Sequence, residues 1–199
     1  MTLREFSGVA ALLWVMAGHA ADVDGVKVPE SVELQPGTVL QLNGAGVRHK
    51  MAVVKVYVGA LYLPARNKDA AAVIADAAAK RISIHILADQ VTAQELTSSL
   101  NSAIAANHIP AELALVEIRL RDLNRMMQSI GSLKRGAVVA IDYLPGVGTR
   151  VSIDGDEKIT IPGRDFHQAL MKVWLGERPV DGRLKDAMLG SPGGFTLFR

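Results

Sequence analysis

The stretch NGAGVRHKMAVVKVYVGALYLP, from Asn43 to Pro64, says the most about how this chain folds. Asn43-Gly44-Ala45-Gly46 reads as a turn, because Gly and Asn tolerate positive φ. A weakly alternating strand from Thr38 to Leu42 leads into it. From Met51 to Leu63 the residues are β-branched and aromatic, and the run stops at Pro64. It predicts one long strand, with Gly59 as a candidate bulge. Alternation puts Lys55, Tyr57, Gly59 and Leu61 on one face, and Val54, Val56, Val58 and Tyr62 on the other. Arg48 thus stands just after a glycine turn, at the head of an apolar strand carrying Tyr57. An Arg and a phenol at the inner end of an apolar cleft would clamp a carboxylate or an enolate, since the guanidinium is a bidentate fork that stays charged when buried. A surface ion pair for Arg48 and a half-buried core position for Tyr57 explain the same residues. Without further information that plainer account is the stronger.

Outward from this stretch strands and helices follow one another without strict alternation. Ala-rich Lys68 to Ala79 predicts a helix, and Arg81 to Leu87 a strand whose Ile82, Ile84 and Ile86 face one way. On that strand His85 falls on the polar side. Thr92 and Glu95 have capping-box spacing, which predicts a helix to about Asn107. Pro110 opens another, with Leu113, Val116, Leu120, Leu123, Met127 and Ile130 forming a buried stripe that ends near Gly131. Short strands follow at Ala137 to Tyr143, Thr149 to Ile153 and Lys158 to Ile161, the last two joined by an Asp154-Gly155 turn. Arg164 to Leu175 and Gly182 to Leu189 predict two closing helices. Strands grouped with helices inserted among them indicate an α+β fold with a mainly antiparallel sheet.

Composition narrows the function. The chain has 199 residues, 49% hydrophobic, with 22 Lys+Arg against 20 Asp+Glu, which suits one folded domain rather than a disordered chain. A net charge of +2 argues against nucleic acid, and 5% aromatic residues against a base-stacking platform. No cysteine means no disulfide, thiolate nucleophile or Cys-ligated metal. Residues 1–20 read as a signal peptide: Arg4, the apolar run VAALLWVMA from Val9 to Ala17, then Gly18 and Ala20 at the −3 and −1 positions of a cut. That run is too short to span a bilayer as a helix, and no other stretch is apolar enough. The expectation is export to the periplasm or beyond, a domain over residues 21–190, and a loose tail over 191–199.

Other chemistry finds little support. His49, His85, His108 and His167 have no ligand spacing with a carboxylate, so no metal is expected. Asp154, Asp156 and Glu157 belong to a polar hairpin rather than a calcium loop. There is no G-x-S-x-G elbow, and Gly44-Ala45-Gly46 leads into a strand where a phosphate loop needs a helix. Nothing calls for a cofactor.

Taken in order, GAGVR (Gly44 to Arg48), KVYVGALYLP (Lys55 to Pro64), AIDYLPGVGTRVSIDG (Ala140 to Gly155) and FHQALMKVWLGERPVDGRLKDAMLG (Phe166 to Gly190) resemble the chalcone isomerase-like family, in its bacterial, exported form. The resemblance implies an open-faced β-sandwich, with a large antiparallel sheet packed on a layer of helices and a ligand cleft between them. Catalytic members close a flavanone ring, and their G-x-R arginine, matched by Arg48, stabilises the developing enolate. Their strand Thr is replaced here by Tyr57. Their helix-start Tyr, following Asn and late Thr or Ser align with about Val91, Ser98 and Val173. Arg and Tyr at the two strand positions are instead what the fatty-acid-binding branch uses to hold a carboxylate.

Three functions follow from this. The first is non-catalytic binding of a fatty acid or similar amphipathic acid, clamped by Arg48 and Tyr57 against a wall of Leu61, Leu63, Leu96, Leu100, Leu170, Val173 and Trp174. The second is an isomerase or intramolecular lyase acting on an enone-type small molecule, with Arg48 and Tyr57 catalytic. The third is an exported structural or partner-binding protein with a vestigial cleft. Loss of three polar positions ranks the first above the second, and retention of Arg48 ranks it above the third.

Overall fold

A computed structural model describes residues 20–191. The expected signal peptide and tail fall outside the described residues, apart from Ala20 and Ser191. Seven strands form one antiparallel sheet: β3 (Ser31–Gln35), β4 (Thr38–Lys50), β5 (Val54–Leu63), β6 (Lys80–Ile86), β9 (Val138–Leu144), β10 (Gly148–Ile153) and β11 (Asp156–Ile161). Their spatial order is β11-β10-β9-β6-β5-β4-β3. A hairpin of β1 (Ala20–Val23) and β2 (Val26–Pro29), and a small pair of β7 (Gln90–Thr92) and β8 (Ser132–Lys134), lie apart from it. The helices are α1 (Ala70–Ala75), α2 (Ala93–Ala106), α3 (Pro110–Ile130), α4 (Arg164–Leu175) and α5 (Gly182–Met188).

The sheet has a core on each face. Tyr57, Leu61, Leu63, Ile82 and Ile84 pack toward the helices, with Leu100, Leu123, Leu170 and Trp174 above them. Val58, Ala60 and Tyr62 point the other way, against Ala21, Val23 and Val28 of the β1–β2 hairpin. Alternation therefore holds over most of β5. It fails at its start, where Val54 is exposed and Val56 joins the helix-side core. His85 pairs with Val58 and Val138 across the sheet, half-buried on the face away from the helices.

Local signals explain the helices. Thr92 Oγ1 accepts from the Glu95 backbone N–H (3.2 Å), and Glu95 Oε2 accepts from Thr92 N–H (3.1 Å), so the capping box starts α2 as its spacing requires. Pro110 opens α3, and Gly131, at φ 75°, ends it. α1 is shorter than the Ala-rich stretch suggests and stops at Asp76.

The reading of residues 43–46 as a turn is overturned. β4 runs unbroken from Thr38 to Lys50, and the chain reverses at Met51 to Val53 instead. The bulges lie at Asn43 on β4, between Leu42 and Gly44, and at Val56 on β5, opposite Arg48 and His49, and not at Gly59. The glycines are there for close approach. A Cβ on Gly44 would sit 2.1 Å from the Ala187 carbonyl oxygen, and one on Gly46 2.5 Å from Ala187 Cβ. α5 lies directly on bare backbone at these two residues.

Candidate functional site

Arg48 on β4 and Tyr57 on β5 are direct cross-strand partners, so their side chains leave the sheet on the same face. The guanidinium carbon lies 5.4 Å from the Tyr57 ring centroid. Arg48 Nη2 donates to Ser99 Oγ at 2.7 Å, while Arg48 Nε is buried with no partner among the described residues. No carboxylate pairs with Arg48 among the described residues. Tyr57 is buried, and its oxygen accepts a hydrogen bond from Trp174 Nε1 at 2.9 Å. Burial pushes the Tyr57 phenol above its ordinary pKa, a shift partly opposed by Arg48 and by the Trp174 bond. The phenol therefore keeps its proton at neutral pH. With Trp174 occupying its oxygen, the O–H is left to donate elsewhere.

These groups sit at a partly enclosed cavity between the sheet and α2, α3 and α4, with about 90 Å³ of internal void. Arg48 is the one charged residue lining it, and the other polar groups are Tyr57, Ser99, Ser132 and the Trp174 indole. Ile84, Ile86, Val139, Ile141, Val151 and Ile153 floor the cavity from three strands, and Leu123, Met126, Met127 and Ile130 of α3 roof it. Of the residues expected at a site, Arg48, Tyr57, Leu96, Leu100, Leu170, Val173 and Trp174 all line this cavity. Leu61 and Leu63 do not. Both are buried in the helix-side core but belong to the far half of β5, beyond the cavity floor.

Ser99 was not singled out from the sequence, although Leu96, Ser99, Leu100 and Ala103 follow i, i+3, i+4, i+7 and share one face of α2. Among the described residues no group of three or more His, Asp or Glu could hold a metal ion, and no helix is long and apolar enough to cross a membrane.

The sequence of residues 20–190 matches a family model described as chalcone isomerase-like. The chain belongs to the chalcone isomerase-like family. Its fold is similar to the crystal structure of a fatty-acid-binding protein from Arabidopsis thaliana, with a TM-score of 0.63 at 12% identity, covering 83% of this chain and 92% of that one. No curated protein matches the sequence.

Within this family frame, the positions aligned with polar groups of the ring-closing enzymes are poor in donors here. Val91 is buried in β7 opposite Leu133 and does not line the cavity. Val173 lines it but has only carbon to offer. Ser98 is exposed and takes a hydrogen bond from Gln94 Nε2 at 3.2 Å; its neighbour Ser99 is the serine that reaches Arg48.

Proposed function

We propose that this member of the chalcone isomerase-like family binds a fatty acid or similar amphipathic carboxylate, with the acid group held by Arg48 and Tyr57 and the chain in the apolar cavity. The observation that carries this reading is a half-buried guanidinium with no ion-pair partner among the described residues, at a mostly apolar cavity. A charge removed from water costs several kcal/mol unless paired, and a ligand carboxylate supplies the pair. The unpartnered Arg48 Nε and the Tyr57 O–H are donors of the kind a carboxylate accepts. Trp174 acts as a positioning residue by fixing the phenol oxygen. A chain too bulky for the void must move the wall, and the unbranched Met126 and Met127 are its most adaptable part. The ring-closing alternative needs preorganised donors where this chain has Val91 and Val173, and each missing donor typically costs about 2.7–4 kcal/mol in the transition state.

Calorimetric titration with palmitic acid and its methyl ester tests the clamp. Arg48→Ala should weaken acid binding by roughly tenfold or more, as expected for a charge-assisted bond of about 1.5–3 kcal/mol, and leave ester binding nearly unchanged. Tyr57→Phe and Trp174→Phe should each cost less. Equal affinity of acid and ester for the unmutated protein removes Arg48 from the reading.

A further inference from the structure

We propose that the β4–β5 hairpin tip is a lipid-surface anchor, which seats the Arg48 end of the cavity on a bilayer so that the ligand passes between membrane and protein. At the tip Met51 is 78% exposed and Val53 76%, with Val54 also exposed. Their conformation gives no reason for apolar residues. Met51 and Ala52 both have positive φ, 50° and 63°, a pair of angles that Asn or Gly adopts far more readily. Residues that fit the turn poorly, and that no other described residue covers, are accounted for by a surface the described fold does not supply.

The surroundings identify what that is. Lys50 and Lys55 stand at the base of the tip, one on each strand, braced by Glu95 (3.4 Å) and Asp24 (2.5 Å). An apolar tip with ammonium groups one residue behind it matches a bilayer interface, where the apolar side chains enter the acyl boundary and the lysines stay among anionic headgroups. The tip is convex and only a few residues wide. A specific protein partner buries about 800 Å² on each side, which this protrusion cannot present, whereas a soft lipid surface needs no matching shape. The tip also lies at the cavity. Arg48 is two residues before Lys50, and the Lys50 partner Glu95 is followed on α2 by the lining residues Leu96 and Ser99.

The purpose given to the anchor rests on the proposed acid binding, but membrane binding itself does not. The test is co-sedimentation of the full chain with mixed phosphatidylcholine–phosphatidylglycerol vesicles, without added acid. The unmutated protein should sediment with them, and Met51→Asp/Val53→Asp should lower the partition coefficient by about tenfold or more. Leu115→Asp, on the exposed face of α3, and Tyr57→Phe should leave it unchanged, and urea midpoints confirm that each variant is folded. Parallel titration with palmitic acid separates the two readings: the tip variant should keep its affinity in solution while Tyr57→Phe loses some. Absence of the unmutated protein from the vesicle pellet overturns the anchor. So does equal sedimentation of the tip variant, or a loss in Leu115→Asp as large as in the tip variant. None of these bears on acid binding.

Discussion

Gly46→Ala should destabilise the protein, and Ala187→Gly should rescue it. The added methyl would lie 2.5 Å from Ala187 Cβ, against an ordinary carbon–carbon contact of about 3.5–4.0 Å. Either α5 retreats by about 1–1.5 Å or β4 bends. Overpacking of this kind costs about 1–3 kcal/mol, and removing a strand glycine returns roughly 0.5–1 kcal/mol. The net loss should be about 1–2 kcal/mol. Ala187→Gly alone should cost about 1 kcal/mol through helix propensity. Together the two changes restore the missing space, so the double variant should be about as stable as Ala187→Gly, with a favourable coupling of about 1–2 kcal/mol. Gly44→Ala supplies the contrast. Its methyl would lie 2.1 Å from the Ala187 backbone oxygen, which no side-chain deletion removes, so it should cost more and resist rescue. Urea unfolding by linear extrapolation measures all four variants. Additive single-site effects, or a neutral Gly46→Ala, would refute the account of the glycines as a seat for α5.

Two further outcomes are expected. His167 is buried against Tyr143 and Thr149, and desolvation, with a smaller contribution from Lys80, depresses its pKa to about 3. The unfolded chain therefore takes up the proton first, near pH 6.5, and stability should fall as pH drops below that by up to about 1.4 kcal/mol per unit from this group. Comparing pH 7 with pH 5, His167→Gln should flatten the acid slope, and parallel curves would show that the imidazole is not responsible. N-terminal sequencing of exported protein should begin at Ala21 or Asp22, and intact Met1 on the mature protein would remove the proposed signal peptide.

The longer helices and the last hairpin are legible because their signals are local: Thr92 with Glu95, Pro110 before the three-and-four spacing of α3, and Asp154-Gly155 between two strands. The strands missed were those with the least pattern. β1, β2 and β3 have only four or five residues each, and β7 and β8 have three, formed where α2 and α3 bring their ends together. Asn43 to Gly46 misled for a different reason. Glycine marks a turn when backbone conformation demands it, and a close approach when packing does. Only the position of α5, some 140 residues later, separates the two. Alternation puts Leu61 and Leu63 on the cavity's face of the sheet but not within its half of that face, since it fixes a side and leaves the distance along a strand open.

The same helix explains why the arginine of the G-x-R motif, Gly46-Val47-Arg48, is where it is. Asn43 Nδ2 donates to the Met188 carbonyl at 2.7 Å, Gly44 and Gly46 admit Ala187, and the His49 N–H donates to Asp181 Oδ2 at 2.9 Å. Asp181 also caps α5, accepting from the Arg183 and Leu184 N–H groups. α5 therefore grips β4 on both sides of Arg48, from Asn43 to His49, and the register shift opposite Arg48 and His49, where β5 carries the extra residue Val56, falls within that span. A half-buried charged side chain lining an apolar cavity would swing toward water if its strand could rotate. Held at both flanks, and opposite Tyr57 in the register, Arg48 is aimed in advance, so the proposed binding of an acid would leave less ordering to be done. The glycines and the arginine of the motif are in this sense one device, which couples the Gly46→Ala variant to ligand affinity as well as to stability.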